Sequence, residues 1–381
     1  MQEENALYRK TLRYLKGKVM MRVKAAVHMG TQTGLVIRKL DLEEPRSDEV
    51  LIKTFACGVC HTDIWVQENY TNAMILGHEA SGVVERVGRN VKNLASGDHV
   101  ITAYNWCGEC EACQKERTWE CDYFDDNFDG LRPDGTSPCS MDGKLVVPLM
   151  REGGFSSYMV CHKNSVIKVD TDLDLHTLGP LGCGIMTGAG SVLNYLNPAP
   201  GRSMAVFGTG CVGLSAIMAS RIARCDPIIA IDRVQSRLEL AAELGATHCI
   251  DGTKHNIENR IKNICGKVDY AFDTSGSSHL LEAMRQVLDF GASACGVGIG
   301  GYLILNEHER LEGKSWETTN TGFSVPYIFI PRLLEYHRAG NFPYEKMLRY
   351  YRFDEIDDAF EASRSCSVIK PVVLLDDSVK R

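Results

Sequence analysis

Two patterns of apolar and polar positions divide this chain of 381 residues. Up to about residue 170, the apolar stretches are short, rich in β-branched residues and bounded by turn formers, which is typical of strands. Helical periodicity is scarce in this part. The predicted strands are Val23–His28, Val50–Ala56, Ser81–Val87 and His99–Ala103. The pattern predicts a mainly β domain of irregular strands with a barrel-like arrangement.

From about residue 185 the pattern changes to apolar strands that alternate with amphipathic helices. The predicted strands are Met204–Gly208, Pro227–Ile231, Val268–Asp273 and Ser293–Ile299. The predicted helices are Leu214–Ala223, Ser236–Gly245, Ile257–Cys265 and Ser278–Leu288. A succession of strand–helix units predicts a parallel, doubly wound sheet.

The last part of the chain shows two helices and a strand. The helices are predicted at Ile328–Ala339 and Ile356–Ser365, and the strand at Val368–Leu375. Pro371 inside that strand favours an edge position or the start of a strand, because proline cannot donate to the hydrogen-bond ladder. We expect this tail to join the first domain, which makes the doubly wound domain an insertion.

The length exceeds the size at which one hydrophobic core stops growing, so at least two domains are expected. We predict an α/β fold whose parts are an N-terminal extension of residues 1–22, a barrel-like catalytic domain of residues 23–184 and 323–381, and a doubly wound (Rossmann) domain of residues 185–322. Tyr8, Leu12 and Leu15 fall near helical spacing, so the extension could be a short helix, a loose tail or the result of a misassigned start codon. We assign it no function.

Composition narrows the classes of partner. The formal net charge is -7 and the basic residues are scattered, which does not indicate nucleic-acid binding. No apolar run approaches the roughly 20 residues that span a bilayer. The N-terminus carries Glu3 and Glu4 and lacks a long apolar segment, so it does not resemble a secretory signal. We expect a cytoplasmic protein that binds neither nucleic acid nor a membrane.

Fifteen cysteines without a secretory signal favour reduced thiols and metal ligands over disulfides. The densest cluster contains Cys107, Cys110, Cys113 and Cys121. Four thiolates this close in sequence can close a tetrahedron around Zn²⁺ and leave no open position, as in structural zinc sites. The surrounding loop is polar, so a metal would supply the folding free energy that a core otherwise gives. An iron–sulfur cluster is the alternative.

A second candidate metal site combines residues that are far apart in sequence. Cys60, His78 and Cys183 offer two soft thiolates and an imidazole, which are donors that Zn²⁺ selects. Three protein ligands leave the fourth position open, as is typical of a catalytic zinc. Cys57 is a rival for the first ligand, and spacing alone does not decide between it and Cys60.

Polar residues next to these ligands suggest supporting roles. Asp63 and Glu79 are candidates to accept the second ring N–H of a zinc-bound histidine. Thr62 offers a hydroxyl that could pass on the proton of an alcohol whose pKa zinc lowers. His61 could bind a cofactor phosphate or relay this proton.

A dinucleotide-binding motif opens the doubly wound domain. A predicted strand is followed by Gly-Thr-Gly-Cys-Val-Gly at Gly208–Gly213, a helix, a second strand and Asp232. This is the βαβ unit whose loop holds a pyrophosphate and whose acid holds ribose hydroxyls, so Asp232 predicts NAD. Arg233 and Arg237 could accommodate a 2′-phosphate, which leaves NADP open. Lys370 is either a surface lysine or a pyrophosphate contact. The loop residues assigned to the cofactor are Gly208, Gly210, Cys211, Val212 and Gly213.

Taken together, these motifs resemble the zinc-dependent medium-chain alcohol dehydrogenases, and among them most closely the aryl- or benzyl-alcohol dehydrogenases. The resemblance covers nearly the whole chain after about residue 22. The stretches that carry it are Cys57–Asp63, Leu76–Glu85, the four-cysteine cluster, Arg132–Thr136, Pro180–Gly184, Thr187–Gly190, Leu238–His248 and Val368–Val372.

The resemblance implies roles for individual residues. It makes Cys60 the first zinc ligand and Cys57 structural, and it assigns the proton relay to Thr62. Asp63 and Glu79 are then the carboxylates behind the ligands. The implied cofactor contacts are those of His61, Thr187, Arg237, Thr274, Val297 and Lys370.

The chain departs from the family pattern at three places. Many relatives carry a histidine two residues after Asp63 as the last base of the proton relay, and this chain has Trp65 there. A bulky apolar residue would suit a substrate with a ring or an allylic chain. The segments Gly153–Tyr158 and Gly298–Gly301 also differ from the benzyl-type pattern, and we expect them near the active-site cleft and the subunit contact.

The resulting prediction is an NAD-linked, zinc-dependent dehydrogenase of primary aromatic or allylic alcohols and their aldehydes. It would hold one catalytic and one structural zinc ion per chain and form a homodimer or homotetramer. The alternatives are oxidation of a polyol or of a formaldehyde–glutathione adduct in the same fold, or a metal- or redox-sensing protein without turnover. The hydroxyl of Thr62 beside an open metal position argues against pure sensing.

Overall fold

The computed structural model describes residues 20–30, 34–170, 172–297, 301 and 303–376, without the side chain of Asn127. Residues 1–19 of the predicted extension and residues 298–300 of the predicted subunit-contact segment lie outside this range. The strands are β1 Met20–His28, β2 Leu35–Glu43, β3 Glu49–Gly58, β4 Met74–Ile75, β5 Ala80–Val87, β6 His99–Thr102, β7 Cys139–Met141, β8 Lys144–Pro148, β9 Tyr158–His162, β10 Val166–Val169, β11 Met204–Phe207, β12 Ile228–Asp232, β13 His248–Asp251, β14 Val268–Asp273, β15 Leu288–Gly296, β16 Ser315–Thr318, β17 Leu348–Arg352 and β18 Lys370–Leu374.

Helices are short in the first half of the chain and longer after residue 210. They are α1 His61–Asn69, α2 Glu111–Gln114, α3 Phe124–Phe128, α4 Leu175–Leu178, α5 Gly184–Gly190, α6 Cys211–Ile222, α7 Gln235–Leu244, α8 Ile257–Cys265, α9 Ser278–Val287, α10 Glu307–Leu311, α11 Pro326–Arg338 and α12 Ile356–Arg364. A π-helical turn, Ser191–Leu196, extends α5.

Two compact units make up the chain. The first runs to Cys183 and resumes at Met347, and the second is Gly184–Lys346. The predicted return to the first domain at residue 323 differs from this boundary, because α11 packs against α5 within the second unit.

The first unit is built from two sheets. One is a small closed barrel in the order β1-β2-β7-β8-β4, and the other has the order β10-β6-β5-β3-β18-β17 with β9 paired to β3. The predicted mainly β, barrel-like architecture is therefore confirmed. Strand β18 pairs with β3 from Val372 opposite Gly58 onward, so the last strand belongs to this unit.

Pro371 explains where β18 can pair. Of the two positions expected for this proline, the structure shows the start of a strand, because Pro371 is the second residue of β18. It does not show an edge strand, because β18 has a neighbouring strand on each side. The ladder with β3 begins one residue later, at Val372. The missing N–H of Pro371 therefore falls outside the ladder with β3.

The second unit contains a six-stranded sheet in the order β13-β12-β11-β14-β15-β16, with every pair parallel. Its central strand β11 is buried at every position, as is typical of a parallel strand covered on both faces. The predicted doubly wound sheet is confirmed. Because β11 lies between β12 and β14, the order of strands reverses beside it, and ligands of such folds bind at this switch point.

Candidate active site

Three separate segments of the first unit bring Cys60, His78 and Cys183 together. Cys60 lies between the end of β3 and the start of α1, with an extended backbone at φ −107° and ψ 155°. His78 lies between β4 and β5, and Cys183 follows a single 3₁₀ turn at Gly179–Gly182. The sulfur, nitrogen and sulfur atoms of these residues and a carboxylate oxygen of Glu79 all lie within 4.8 Å of one another.

Tight packing favours glycine at two positions here. A Cβ atom at Gly182 would stand 1.8 Å from the backbone carbonyl oxygen of Thr102, which requires glycine there. A Cβ atom at Gly58 would stand 2.2 Å from Oε2 of Glu79, so a side chain there would displace that carboxylate. The glycines that frame the candidate ligands in the sequence therefore allow the segments to approach.

The donor atoms fit a zinc ion. Nε2 of His78 is buried and has no hydrogen-bond partner among the described residues, although a buried ring nitrogen normally has one. With the two thiols, the group has donors that Zn²⁺ selects, and the Glu79 oxygens, which also lie there, are paired with Lys370. Cys57 is buried and is not part of this donor group, so the geometry favours Cys60 as the first ligand.

Asp63 orients the imidazole. Its Oδ1 lies 3.2 Å from Nδ1 of His78 and accepts a hydrogen bond of 2.8 Å from the N–H of Gly77. Its Oδ2 accepts one of 2.9 Å from the N–H of Cys60. The fully buried carboxylate thus ties two of the three ligand segments together and holds the ring with Nε2 toward the sulfurs.

The members of this cluster shift each other's pKa values. The Cys183 thiol donates toward Cys60, which lowers the pKa of Cys60 well below its usual value and raises the pKa of Cys183. Burial disfavours a charged imidazole, but the Asp63 and Cys60 charges raise the pKa of His78 well above its usual value. The protons that remain here are those that a metal displaces when it binds, so affinity for the metal should rise with pH.

Glu79, whose carboxylate lies among the donor atoms, forms a buried ion pair with Lys370. The Lys370 ammonium donates to both carboxylate oxygens of Glu79, at 2.9 and 2.8 Å, and to the carbonyl oxygen of Val59 at 3.0 Å. Burial raises the pKa of Glu79, and the Lys370 charge opposes that rise. Of the two candidate carboxylates, Asp63 is the one at the imidazole. The cofactor-phosphate contact of Lys370 stays a prediction.

Helix α1 presents the remaining predicted residues of this unit. The Thr62 hydroxyl lies 3.7 Å from the sulfur of Cys60. His61, the first residue of the helix, is exposed. Trp65 is 39% exposed and packs edge-on against Tyr70 and Phe128, with ring centroids 5.8 and 6.4 Å apart.

The four-cysteine lobe is a second, separate donor group. The sulfurs of Cys107, Cys110, Cys113 and Cys121 all lie within 4.8 Å of one another. Backbone N–H groups of the same loop donate to them at 3.3 Å, from Cys107 to Cys121 and from Glu109 and Cys110 to Cys107. Such bonds, led by one from the backbone of Asp122, lower the pKa of Cys110 to about 7. The set fits a closed tetrahedral zinc site.

In the second unit, the predicted dinucleotide loop follows β11. Gly208 has φ +92°, a conformation that favours glycine, and a Cβ atom at Gly213 would stand 1.9 Å from the carbonyl oxygen of Gly208. The loop ends where Gly210 caps helix α6. Asp232, the last residue of β12, accepts hydrogen bonds from Thr209 and Val234.

The other predicted cofactor residues of this unit lie at the carboxyl ends of the strands of the same sheet or on nearby helices. Cys211 and Val212 form the first turn of α6, while the exposed Arg233 and half-buried Arg237 follow β12. Thr274 and Val297 directly follow β14 and β15, and the Thr274 hydroxyl donates to the carbonyl oxygen of Phe207 at 3.2 Å. The buried Thr187 of α5 donates to the carbonyl oxygen of Asn320 at 3.3 Å. Each role stays a prediction.

One buried group near the site escaped the sequence analysis. Glu152 is 1% exposed, and neither of its carboxylate oxygens has a hydrogen bond of good geometry among the described residues, although the nearby Thr102 side chain favours the charged form. Burial raises its pKa well above the usual value. It follows Met150 and Arg151, two non-glycine residues with positive φ, so the turn that carries it is strained. No motif in the sequence distinguishes this glutamate from a solvated one.

Comparison with known proteins gives the family. Residues 46–171 match the alcohol dehydrogenase GroES-like domain, and residues 211–313 match the zinc-binding dehydrogenase domain. A geraniol dehydrogenase of Castellaniella defragrans is 35% identical over 89% of this chain and 94% of its own. An S-(hydroxymethyl)glutathione dehydrogenase of Escherichia coli is 32% identical over 93% of this chain and 100% of its own.

Solved structures agree with these relatives. The benzyl alcohol dehydrogenase of Acinetobacter calcoaceticus has a TM-score of 0.88 and 34% identity, covering 93% of this chain and 99% of that one. An alcohol dehydrogenase zinc-binding domain protein of Burkholderia ambifaria has a TM-score of 0.90 and 38% identity, covering 94% and 100%. The chain belongs to the zinc-dependent medium-chain alcohol dehydrogenase family. It is an alcohol dehydrogenase that uses zinc and NAD(P), as predicted.

Among the helices of the described residues, none combines the length and apolar content that a membrane span requires.

Proposed function

We propose that this enzyme interconverts primary aromatic or allylic alcohols and their aldehydes with NAD as the coenzyme. The observation that carries the proposal is the convergence of Cys60, His78 and Cys183, with the Thr62 hydroxyl 3.7 Å from the Cys60 sulfur. In this proposal those three residues hold the catalytic zinc ion, and the four-cysteine lobe holds a structural one. A homodimer or homotetramer is the proposed assembly.

The residues of the chain would transfer the proton of the alcohol and orient the zinc ligands. When bound, zinc supplies a Lewis acid and the nicotinamide supplies the hydride acceptor. Asp63 fixes the imidazole of His78, and the Lys370 ion pair holds Glu79 beside the ligands. The Thr62 hydroxyl takes up the proton of the alcohol and passes it toward solvent. His61, exposed at the start of the same helix, would bind a cofactor phosphate or take part in this transfer.

The aromatic side of α1 supports the proposed substrate class. Trp65 lies three residues after Thr62, so both side chains project from one side of the helix. Its ring, with those of Tyr70 and Phe128, forms a three-ring cluster. Such a surface suits a planar or unsaturated substrate better than a polyol, whose hydroxyl groups need polar partners. The names of the geraniol and benzyl alcohol relatives agree with this choice.

The preference for NAD rests on Asp232. A carboxylate at the end of the second strand accepts ribose hydroxyls and repels a 2′-phosphate. Arg233 and Arg237 lie close in sequence and would weaken the preference. Asp232→Ala should therefore reduce the ratio of kcat/KM for NAD to that for NADP, and an unchanged ratio would count against this role.

A panel of alcohols and aldehydes tests the proposal, with NAD(H) and NADP(H) followed at the nicotinamide absorbance. Benzyl, cinnamyl and geranyl alcohols should give the highest kcat/KM with NAD. Because an S-(hydroxymethyl)glutathione dehydrogenase is among the relatives, the adduct of formaldehyde with glutathione belongs in the panel. Highest activity with that adduct or with a polyol would overturn the substrate class, and absence of turnover with every member would overturn the proposal.

A further inference from the structure

A single loop residue, Thr209, connects the cofactor loop to Asp232 through its backbone and its side chain. The N–H of Thr209 donates to Oδ2 of Asp232 at 2.6 Å, and the Thr209 hydroxyl donates to the same oxygen at 2.9 Å. Both residues are buried. The G-x-G-x-x-G pattern leaves its second position open to any residue, so a hydroxyl there is a feature of this chain and not of the motif.

Strand register explains why these two residues meet. Strands β11 and β12 run parallel with Phe207 opposite Ile231, so Gly208 and Asp232 come next, side by side, at the carboxyl ends. The N–H of Gly208 still donates to the carbonyl oxygen of Ile231 at 2.8 Å. The hydrogen-bond ladder therefore continues to the residue before Thr209. This register places Thr209 next to Asp232.

The two oxygens of Asp232 have different surroundings. Oδ2 accepts two hydrogen bonds from Thr209, whereas Oδ1 accepts one among the described residues, from the N–H of Val234 at 2.9 Å. A carboxylate oxygen has more than one acceptor site, so Oδ1 keeps capacity for a ribose hydroxyl. Three donors fix the plane of the carboxylate before any ligand arrives.

We propose that Thr209 is a positioning residue that sets the discrimination between NAD and NADP by locking the Asp232 carboxylate. The inference rests on the proposed role of Asp232 in NAD binding. A carboxylate held by a neighbour loses little freedom when it accepts ribose hydroxyls, so binding is stronger for the same contact. A locked carboxylate also cannot rotate away from a 2′-phosphate, which keeps the electrostatic penalty for NADP.

Thr209→Val tests the proposal because it removes the hydroxyl and nearly preserves the side-chain shape. Dissociation constants for NADH and NADPH would be measured by the fluorescence of the reduced nicotinamide, on the full-length protein with zinc bound. We expect NADH binding to weaken up to about tenfold, because a carboxylate that has regained rotational freedom must be ordered again when NADH binds. NADPH binding should change less than about twofold, and Thr209→Ser should retain the wild-type ratio.

A matched control lies at the opposite end of β11. The N–H and hydroxyl of Ser203 both donate to Oδ2 of Asp269, at 2.9 and 2.7 Å, which repeats the arrangement of Thr209 and Asp232. Ser203→Ala should lower the melting temperature and leave the ratio of the two dissociation constants unchanged. Thr209→Ala is the second hydroxyl-free variant should Thr209→Val not fold.

The outcomes separate this proposal from the role of Asp232. If the hydroxyl-free variants keep the wild-type ratio while Asp232→Ala lowers it, the Thr209 proposal is overturned and the proposed NAD preference stands. Equal weakening of NADH and NADPH would also overturn it, because Thr209 would then only stabilise the loop. If Asp232→Ala itself leaves the ratio unchanged, the assignment of NAD selectivity to Asp232 fails first.

Discussion

The four-cysteine lobe takes its donors from the single stretch Cys107–Cys121, whereas the other donor group joins three distant segments at Cys60, His78 and Cys183. Donors of the lobe accept hydrogen bonds from their own loop. The distant group is backed by buried carboxylates, among them Asp63. In the proposal, the lobe closes a loop around a metal. The other group would hold an open metal position inside a sheet framework, where charged groups are buried.

The largest expected effect is on turnover. Cys60→Ala removes one of the three proposed zinc ligands, so activity should fall below detection and zinc content from about two ions to about one per chain. Circular dichroism should show an unchanged fold. Cys57→Ala is the matched control, because that thiol is buried nearby but outside the donor group, and it should keep zinc and activity. Activity that survives in the Cys60 variant would refute the ligand assignment.

A substitution in the four-cysteine lobe should lower the stability of the fold. Cys110→Ala leaves three thiolates for a metal whose binding supplies folding free energy, so we expect a melting temperature lower by about 5 to 10 °C, the shift that follows from losing a few kcal/mol in a chain of this size. Zinc analysis should again give about one ion per chain. Cys249→Ala, at an exposed thiol, is the control. Unchanged melting together with two bound zinc ions would exclude a structural metal here.

The Asp63→Asn variant tests whether this carboxylate acts on metal binding by orienting His78. Asp63→Asn keeps the size but removes the charge that faces Nδ1 of His78, so affinity for the catalytic metal should fall about 10- to 100-fold. Titration with a competing chelator measures this, and the lobe's zinc is an internal reference within the same chain. Equal loss from both sites would mean that the variant perturbs folding and not the imidazole.

The smallest expected effect is on the pH dependence of stability, through the buried carboxyl group of Glu152. Burial raises the pKa of Glu152 above its usual 4.5, so the folded state keeps a proton that the unfolded state loses. Stability should therefore fall as pH rises above 4.5, until the folded-state pKa is passed. Glu152→Gln cannot titrate, so it should flatten that slope and gain about 1 kcal/mol at neutral pH. Denaturant unfolding between pH 4.5 and 8 checks this, and an unchanged slope would contradict the assignment.

The local site was easier to predict than the distant one for a physical reason. Four cysteines in one short stretch can meet whatever the fold, so their spacing alone indicates a site. The choice between Cys60 and Cys57 depends on where β3 ends and α1 begins, which spacing did not decide. The family resemblance implied Cys60, and the geometry agrees, since Cys57 packs in the core outside the donor group.

Other features escaped because they depend on tertiary contacts. Strand β13 begins with two exposed residues, His248 and Cys249, so its apolar pattern is weak. The surface interpretation of Lys370 is wrong, because this residue is buried against Glu79, which is 291 residues away in sequence, and its phosphate contact stays a prediction. Periodicity does predict β11 and the doubly wound sheet, because parallel strands buried on both faces are apolar throughout.

The most direct test of the central claim is a crystal structure of the zinc-bound enzyme with anomalous diffraction at the zinc edge. The account predicts two peaks per chain, one among the four sulfurs of the lobe and one bound by Cys60, His78 and Cys183. A map without the second peak, or with that zinc ion bound by other residues, would contradict the account.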